Sequence, residues 1–245
     1  MFGMSSSVER IVVATYNVHR CVGSDRRHDP DRTAEVIREM QADAIALQEV
    51  DSRAGVEHGI DQFESLACAT GMQPIAGPTL RDHRGQYGNA VLTRLPILET
   101  RRIDLSVPSR EPRGALCVEL DAHGRKLTLI ATHLGLRWRE RRKQVAWLLD
   151  LVRRTSGEPL VLLGDMNEWV PIVHALKPLF RVFGTAPGIR TFPTVRPILP
   201  LDRIWCRPRS ALVEVHAHMS RLARTASDHL PLRAELALGR GGLNA

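Results

Sequence analysis

"PLVLLGDMNEWVP", Pro159 to Pro171, changes character halfway along. Leu160 to Leu163 form a continuous apolar run closed by Gly164. Asp165 and Asn167 follow, one residue apart. An apolar run this short, bounded by Pro and Gly, suits a strand covered on both faces rather than one that alternates with solvent. Two polar side chains at the point where such a strand leaves the core have two explanations. Asp and Asn start helices well, and "WVPIVHALKPL" reads as a short helix to be capped. Strand ends are also where catalytic groups collect. On this fragment alone, both readings stand.

The flanking chain repeats the pattern. "RIVVATYNVH" is a β-branched strand running into Asn17 and His19. "DRTAEVIREMQADAIALQEV" reads as a helix after Asp31 and then a buried strand ending at Glu49. "DQFESLACATG" fits a helix stopped by Gly71. "GNAVLTRLPILET", "GALCVELD" and "RKLTLIATHL" are strand-like, with Gly124 in a turn between the last two. "WRERRKQVAWLLDLVRR" puts Val145, Leu148, Leu149 and Val152 on one helical stripe, with arginines around the rest. "DRIWCR", "ALVEVHAH" and "LPLRAELAL" close the chain as strands. Strands outnumber helices, and many are joined by turns too short for crossovers. An α/β fold of mixed, largely antiparallel sheets with helices outside is expected, as one domain over residues 8–238 with flexible tails at 1–7 and 239–245.

The polar residues recur at strand ends. Apolar runs finish at Asn17, Glu49, His133 and Asp165, while Asp202 and the pair Asp228 and His229 stand just before strands. Brought together, with Asn167, they make a cleft of four carboxylates, two carboxamides and two imidazoles. Oxygen donors of this kind suit a hard cation, Mg²⁺ or Mn²⁺, rather than zinc.

Composition narrows the class. Hydrophobic residues at 43% and charged residues at 25% are ordinary for a globular chain of 245 residues. The net charge of +7 favours polyanionic partners: nucleic acid, phosphorylated metabolites or, by peripheral contact, anionic lipid. Aromatic residues at 4% give no evident platform for stacking bases. Four cysteines stand far apart without a CxxC or zinc-type cluster, which points to buried free thiols in a reducing compartment. No apolar leader opens the chain and no run reaches transmembrane length, so a cytoplasmic monomer is expected.

In order along the chain, "TYNVH", "LQEV", "GNAVLTR", "EPRGAL", "THLGL", "GDMNEW", "LDRIW" and "SDHLP" resemble the endonuclease/exonuclease/phosphatase superfamily with the deoxyribonuclease I-like fold, nearest to its generic bacterial metal-dependent hydrolases. The most specific pair is "GDxN" followed by "SDH". The resemblance implies a four-layer α/β/β/α sandwich and resolves the question about Asp165 in favour of chemistry. It implies Glu49 as the principal Mg²⁺ ligand, with Asn17 and Asp228 completing the metal site. Asp165 would orient or deprotonate the attacking water, and Asn167 would bond a non-bridging phosphoryl oxygen. His229 would contact the scissile phosphate and Asp202 would hold its ring. His133 matches the branch that carries His in "THL", as deoxyribonuclease I and the sphingomyelinases do. Arg113 and Arg110 are expected as phosphate clamps and Asn89 as a cleft residue. His19, His58 and His83 have no matching role.

The expected activity is metal-dependent hydrolysis of a phosphoester, a phosphodiester before a monoester, by single-step attack of water. No serine or cysteine motif supplies a protein nucleophile. The alternative is a nuclease acting on DNA or RNA, with "RWRERRK" (137–143) as the candidate polyanion track. A non-catalytic phosphate-binding module is a third reading. Segments 55–63, 81–88 and 188–200 are candidates for substrate selection.

Overall fold

The computed structural model describes residues 9–53, 61–169, 175–185 and 188–239. The expected tail at 1–7 and all but Gly239 of the expected tail at 239–245 lie outside these residues, as do His58 and most of segment 55–63.

Strand β8 (Leu160–Asp165) is fully buried, as its sequence requires. Val161 and Leu163 face a core between two sheets, while Leu160 and Leu162 face a second core against helices. Burying each such side chain is worth about 1.5–3 kcal/mol. Strand β8 lies in a five-stranded sheet of order β5-β6-β7-β8-β9, formed by β5 (Ile97–Asp104), β6 (Gly114–Asp121), β7 (Lys126–His133) and β9 (Asp202–Arg207). The other sheet has six strands in the order β10-β11-β1-β2-β4-β3. It comprises β1 (Glu9–Asn17), β2 (Ala44–Asp51), β3 (Gln73–Asp82), β4 (Gly85–Thr93), β10 (Leu212–Ala217) and β11 (Leu232–Leu238). The pairs β1·β2 and β7·β8 are parallel and the other pairs antiparallel.

Helices α1 (Pro30–Glu39), α2 (Gln62–Thr70) and α5 (Ala223–Ala226) cover the outer face of the six-stranded sheet through Val36, Ile37, Phe63 and Leu66. Helices α3 (Trp138–Arg154) and α4 (Lys177–Phe183) cover the five-stranded sheet through the expected stripe, Val145 to Val152, and Leu179 and Phe183. The architecture is therefore a four-layer α/β/β/α sandwich.

Several boundaries differ from expectation. Asp29, not Asp31, caps α1, its side chain accepting from Arg32 N at 2.8 Å. "GNAVLTRLPILET" divides into β4 and β5, which belong to different sheets. Strand β3 was not anticipated, because Pro74, Gly77 and Pro78 interrupt it. It lies at the sheet edge, where a proline's missing N–H costs no ladder bond. Segment 81–88 is largely its hairpin with β4. None of the four cysteines is in a disulfide, but Cys68 is exposed, while Cys21, Cys117 and Cys206 are buried.

Candidate active site

The parallel pairs place their C-terminal ends side by side. His133 lies opposite Asp165 across β7·β8, and Asp165 opposite Asp202 across β8·β9. Gly164 makes that approach possible. Its φ is +140°, and a Cβ there would stand 1.9 Å from the Thr132 carbonyl oxygen. From the other sheet, Asn17 ends β1, and its amide nitrogen donates to Asp165 Oδ2 at 3.1 Å and to Glu49 Oε1 at 3.0 Å. The β2·β4 register shifts between Leu47 and Val50, and Glu49 in this bulge has a φ of +61°. Bulges beside active sites re-aim side chains in this way, at the expense of local strain. Strand β2 thus continues past Glu49 to Asp51 instead of ending there.

His229 Nδ1 lies 2.9 Å from Asp202 Oδ2, which also accepts from Thr191 Oγ1 at 2.6 Å. Its Nε2 faces Asp165 Oδ2 at 3.7 Å. Burial alone would depress the His229 pKa, but Asp202 and Asp165 outweigh it and raise it to about 10. The imidazole is therefore a cation. Phe192 packs against its ring at 4.9 Å. Burial, opposed by His229 and reinforced by Asp202, raises Asp165 to about 6. His133 moves the other way: burial, then Arg113 and His229, hold it well below the usual imidazole range. Arg113 Nη1 lies 3.3 Å from His133 Nδ1 and can only donate, which by itself favours the ring hydrogen on Nε2. That nitrogen faces Asp165 Oδ2 at 3.5 Å and Asn167 Nδ2 at 3.0 Å. The Asn167 amide nitrogen donates to Leu134 O at 2.9 Å and, as a donor that also faces Nε2, favours the opposite tautomer, so Arg113 and Asn167 compete over where the ring hydrogen sits. Asn167 has a φ of +49°, a region Asn tolerates, and its N–H donates to Asp165 Oδ1 at 2.8 Å.

Eight expected residues thus meet at one end of the sandwich: Asn17, Glu49, His133, Asp165, Asn167, Asp202, Asp228 and His229. Asp228 is half-buried and approaches His19 Nδ1 at 3.7 Å. The three residues expected to bind substrate are Arg113, Arg110 and Asn89. Arg113 is buried, with its guanidinium on Glu111 at 3.1 and 3.2 Å and against His133. Arg110 is exposed. Asn89 is buried and donates to Gly114 O at 3.1 Å, tying one sheet to the other.

Other contributors escaped the sequence reading. Thr191 fixes Asp202, and Ser227 Oγ donates to Asn17 O at 2.7 Å and accepts from His229 N at 3.2 Å. His19, Arg20 and Cys21 form a turn with φ of +46°, +56° and +58°, which costs about 1–2 kcal/mol per residue and puts His19 beside Asp228. Arg141 is no solvated arginine of a helix face. It is 1% exposed, pairs with Glu168 at 3.1 Å, and donates to Gly135 O and Leu136 O. It fastens the segments that follow His133 and Asn167. A cavity of about 350 Å³ opens at the opposite end, near Lys126, Pro159 and Leu238, away from every residue above.

Residues 14–229 match the model of the Endonuclease/Exonuclease/phosphatase family. The chain belongs to this family. "Uncharacterized protein YbhP" of Escherichia coli (strain K12) is 34% identical over 243 residues, which cover 92% of this chain and 96% of that protein. The endonuclease/exonuclease/phosphatase of Beutenbergia cavernae DSM 12333 superposes with a TM-score of 0.78 at 25% identity, over 94% of this chain and 72% of that one. The mannosyl-6-phosphatase Bt3783 of Bacteroides thetaiotaomicron VPI-5482 shares the fold at a TM-score of 0.75 and 18% identity, covering 93% of this chain and 100% of its own. Family membership makes phosphoester hydrolysis the coarse expectation for this endonuclease/exonuclease/phosphatase chain. No helix among the described residues is long and apolar enough to cross a membrane.

Proposed function

We propose that the chain is a divalent-cation-dependent phosphoester hydrolase, preferring diesters, that cleaves by direct attack of water. The observation that carries the reading is the meeting of the His229–Asp202 pair, Asp165 and the Asn17–Glu49 contact at one end of both sheets. Glu49 fits a hard cation. Among the described residues it has no cationic partner and accepts one hydrogen bond, from the amide that also binds buried Asp165. Glu49, Asn17 and Asp228 would hold Mg²⁺ or Mn²⁺, which when bound polarises a phosphoryl oxygen.

The chain's own groups then divide the work. Asp165, with its pKa raised to about 6, is a stronger base than a free carboxylate and still ionised at neutral pH. It orients a water for in-line attack and takes its proton. The His229 cation directs its Nε2–H towards the site, where it can donate to charge growing on the phosphoryl oxygens, and Asp202 keeps it charged and oriented. Neutral His133 and Asn167 lie side by side at the same centre, within reach of a phosphoryl or departing oxygen. Purified protein assayed with Mg²⁺ or Mn²⁺ against model diesters, monoesters, plasmid DNA, RNA and phospholipids tests this directly. Turnover that persists in excess chelator would refute the mechanism.

One observation favours the nuclease alternative. Trp138 is 39% exposed at the start of α3, with the guanidinium carbons of Arg139 and Arg142 at 5.4 and 5.3 Å from its ring centre. A basic aromatic surface begins there, five residues after His133.

A further inference from the structure

A small cavity opens beside Arg113, whose guanidinium lies 3.3 Å from His133 Nδ1. It holds about 120 Å³ and is lined by Arg110, Glu111, Arg113, Gly135, Leu136, Arg137 and Glu140. At about 30 Å³ per water it has room for roughly four waters, or one phosphate-sized oxyanion. Three guanidiniums face it against two carboxylates, and neither carboxylate is free to cancel them all. Glu111 is engaged by both terminal nitrogens of Arg113. Glu140 belongs to the helix end, where it accepts from Gln144 Nε2 and Arg137 N. Arg110 and Arg137 form no ion pair among the described residues, and Arg113 Nε is buried without a hydrogen-bond partner there. Arg113 is 6% exposed, so an unsatisfied donor on it carries a real desolvation cost. It also touches His133 Nδ1, which places the cavity one guanidinium and one imidazole from Asp165.

We infer that this cavity is a subsite for a second phosphate of the substrate, next to the ester being cleaved. The inference rests on the hydrolase reading for the identity of the reaction, but not for binding. Arginine suits the task, because its planar fork pairs with two oxyanion oxygens at once. Arg113 would not clamp the scissile group. It would lie between the two phosphates, offering its unpartnered Nε to the second and touching His133 beside the first. Selectivity would then favour compact esters with two phosphates over those with a single charge.

Two measurements test this. The first is calorimetric titration with inorganic phosphate in excess chelator, which removes any cation-mediated binding at Glu49. The wild type should bind one phosphate, and Arg137→Ala and Arg110→Ala should each weaken it about tenfold or more. The second is the ratio of kcat/KM for the p-nitrophenyl ester of thymidine 5′-phosphate with and without a 3′-phosphate. The ratio should exceed one in the wild type and fall about tenfold in Arg137→Ala, mainly through KM. A ratio that is the same in wild type and variant overturns the subsite, even if free phosphate binds. Absence of phosphate binding together with a wild-type ratio of one also overturns it. If neither ester turns over but phosphate binds and is lost in both variants, the hydrolase reading fails and the oxyanion site stands.

Discussion

Replacing Asp202 with Asn isolates the electrostatics of the His229 pair with little change of shape. The amide can still accept from Thr191 and from His229 Nδ1, but it carries no charge. In the wild type the imidazole titrates at about 10 against an ordinary 6.5, even though burial opposes its charge. At about 1.36 kcal/mol per unit, such a rise amounts to several kcal/mol, in line with the roughly 3–5 kcal/mol lost when a buried ion pair is broken. The folded pKa is the higher one, so this stability is fully present below about pH 6.5 and fades as the pH climbs through about 10. Urea melts of metal-free protein should therefore show Asp202→Asn destabilised by several kcal/mol at pH 6, with the gap closing by pH 10 and above. Histidine NMR should move the His229 titration down by about two units or more, as burial prevails over the remaining carboxylates. Turnover at neutral pH should drop about 100-fold or more. A destabilisation independent of pH, or a wild-type His229 that titrates between pH 6 and 7, would refute the reasoning.

Asp165→Asn should lower kcat about 100-fold or more, while the melting temperature of the metal-free protein holds or rises, because a costly buried charge is removed. A variant that unfolds would show Asp165 to be structural. Glu49→Gln should weaken Mn²⁺ binding about tenfold or more by calorimetry, since it removes a carboxylate that has no cationic partner among the described residues. Equal affinity in both proteins would take Glu49 out of the metal site. Reversing Arg139 and Arg142 to Glu should leave a small diester hydrolysed within about a few-fold of wild type. Loss of plasmid cleavage with a flattened salt dependence in the same variant would instead favour the nuclease reading.

Much of the cleft is visible in the chain because its residues follow short apolar runs, and a run such as Leu160–Leu163 can hardly be anything but a doubly covered strand. Where a strand ends is set by its partner as well as by its own sequence. Glu49 looked terminal, yet the bulge against β4 carries β2 two residues further. Strand β3 was hidden by prolines that only an edge position tolerates, and no local signal announces an edge. Thr191 and Ser227 act through side-chain hydrogen bonds to residues distant in sequence or to backbone, and Ser and Thr are too common to single out. Arg141 was misjudged for a related reason. Helical periodicity places a residue on a face, but burial of its guanidinium depends on Glu168, far along the chain.

The residues of the proposed site hang from two different sheets: Asn17 and Glu49 from one, His133, Asp165 and Asp202 from the other. What sets the gap between them is the apolar layer of Val13, Ala46, Val91, Leu129, Val161 and Leu163, none of which carries a polar atom in its side chain. Packed sheets stand about 10 Å apart, and close-packed interiors pass on the strain of even one added methylene. This layer works as a shim. Thickening it through Ala46→Val would spread the two halves of the site and stretch the Asn17–Asp165 bond, while thinning it through Leu163→Ala would let them settle together. Turnover should thus respond to the volume of residues that touch no substrate, and variation in this hydrophobic filling gives the fold a way to retune its chemistry without altering any reacting group.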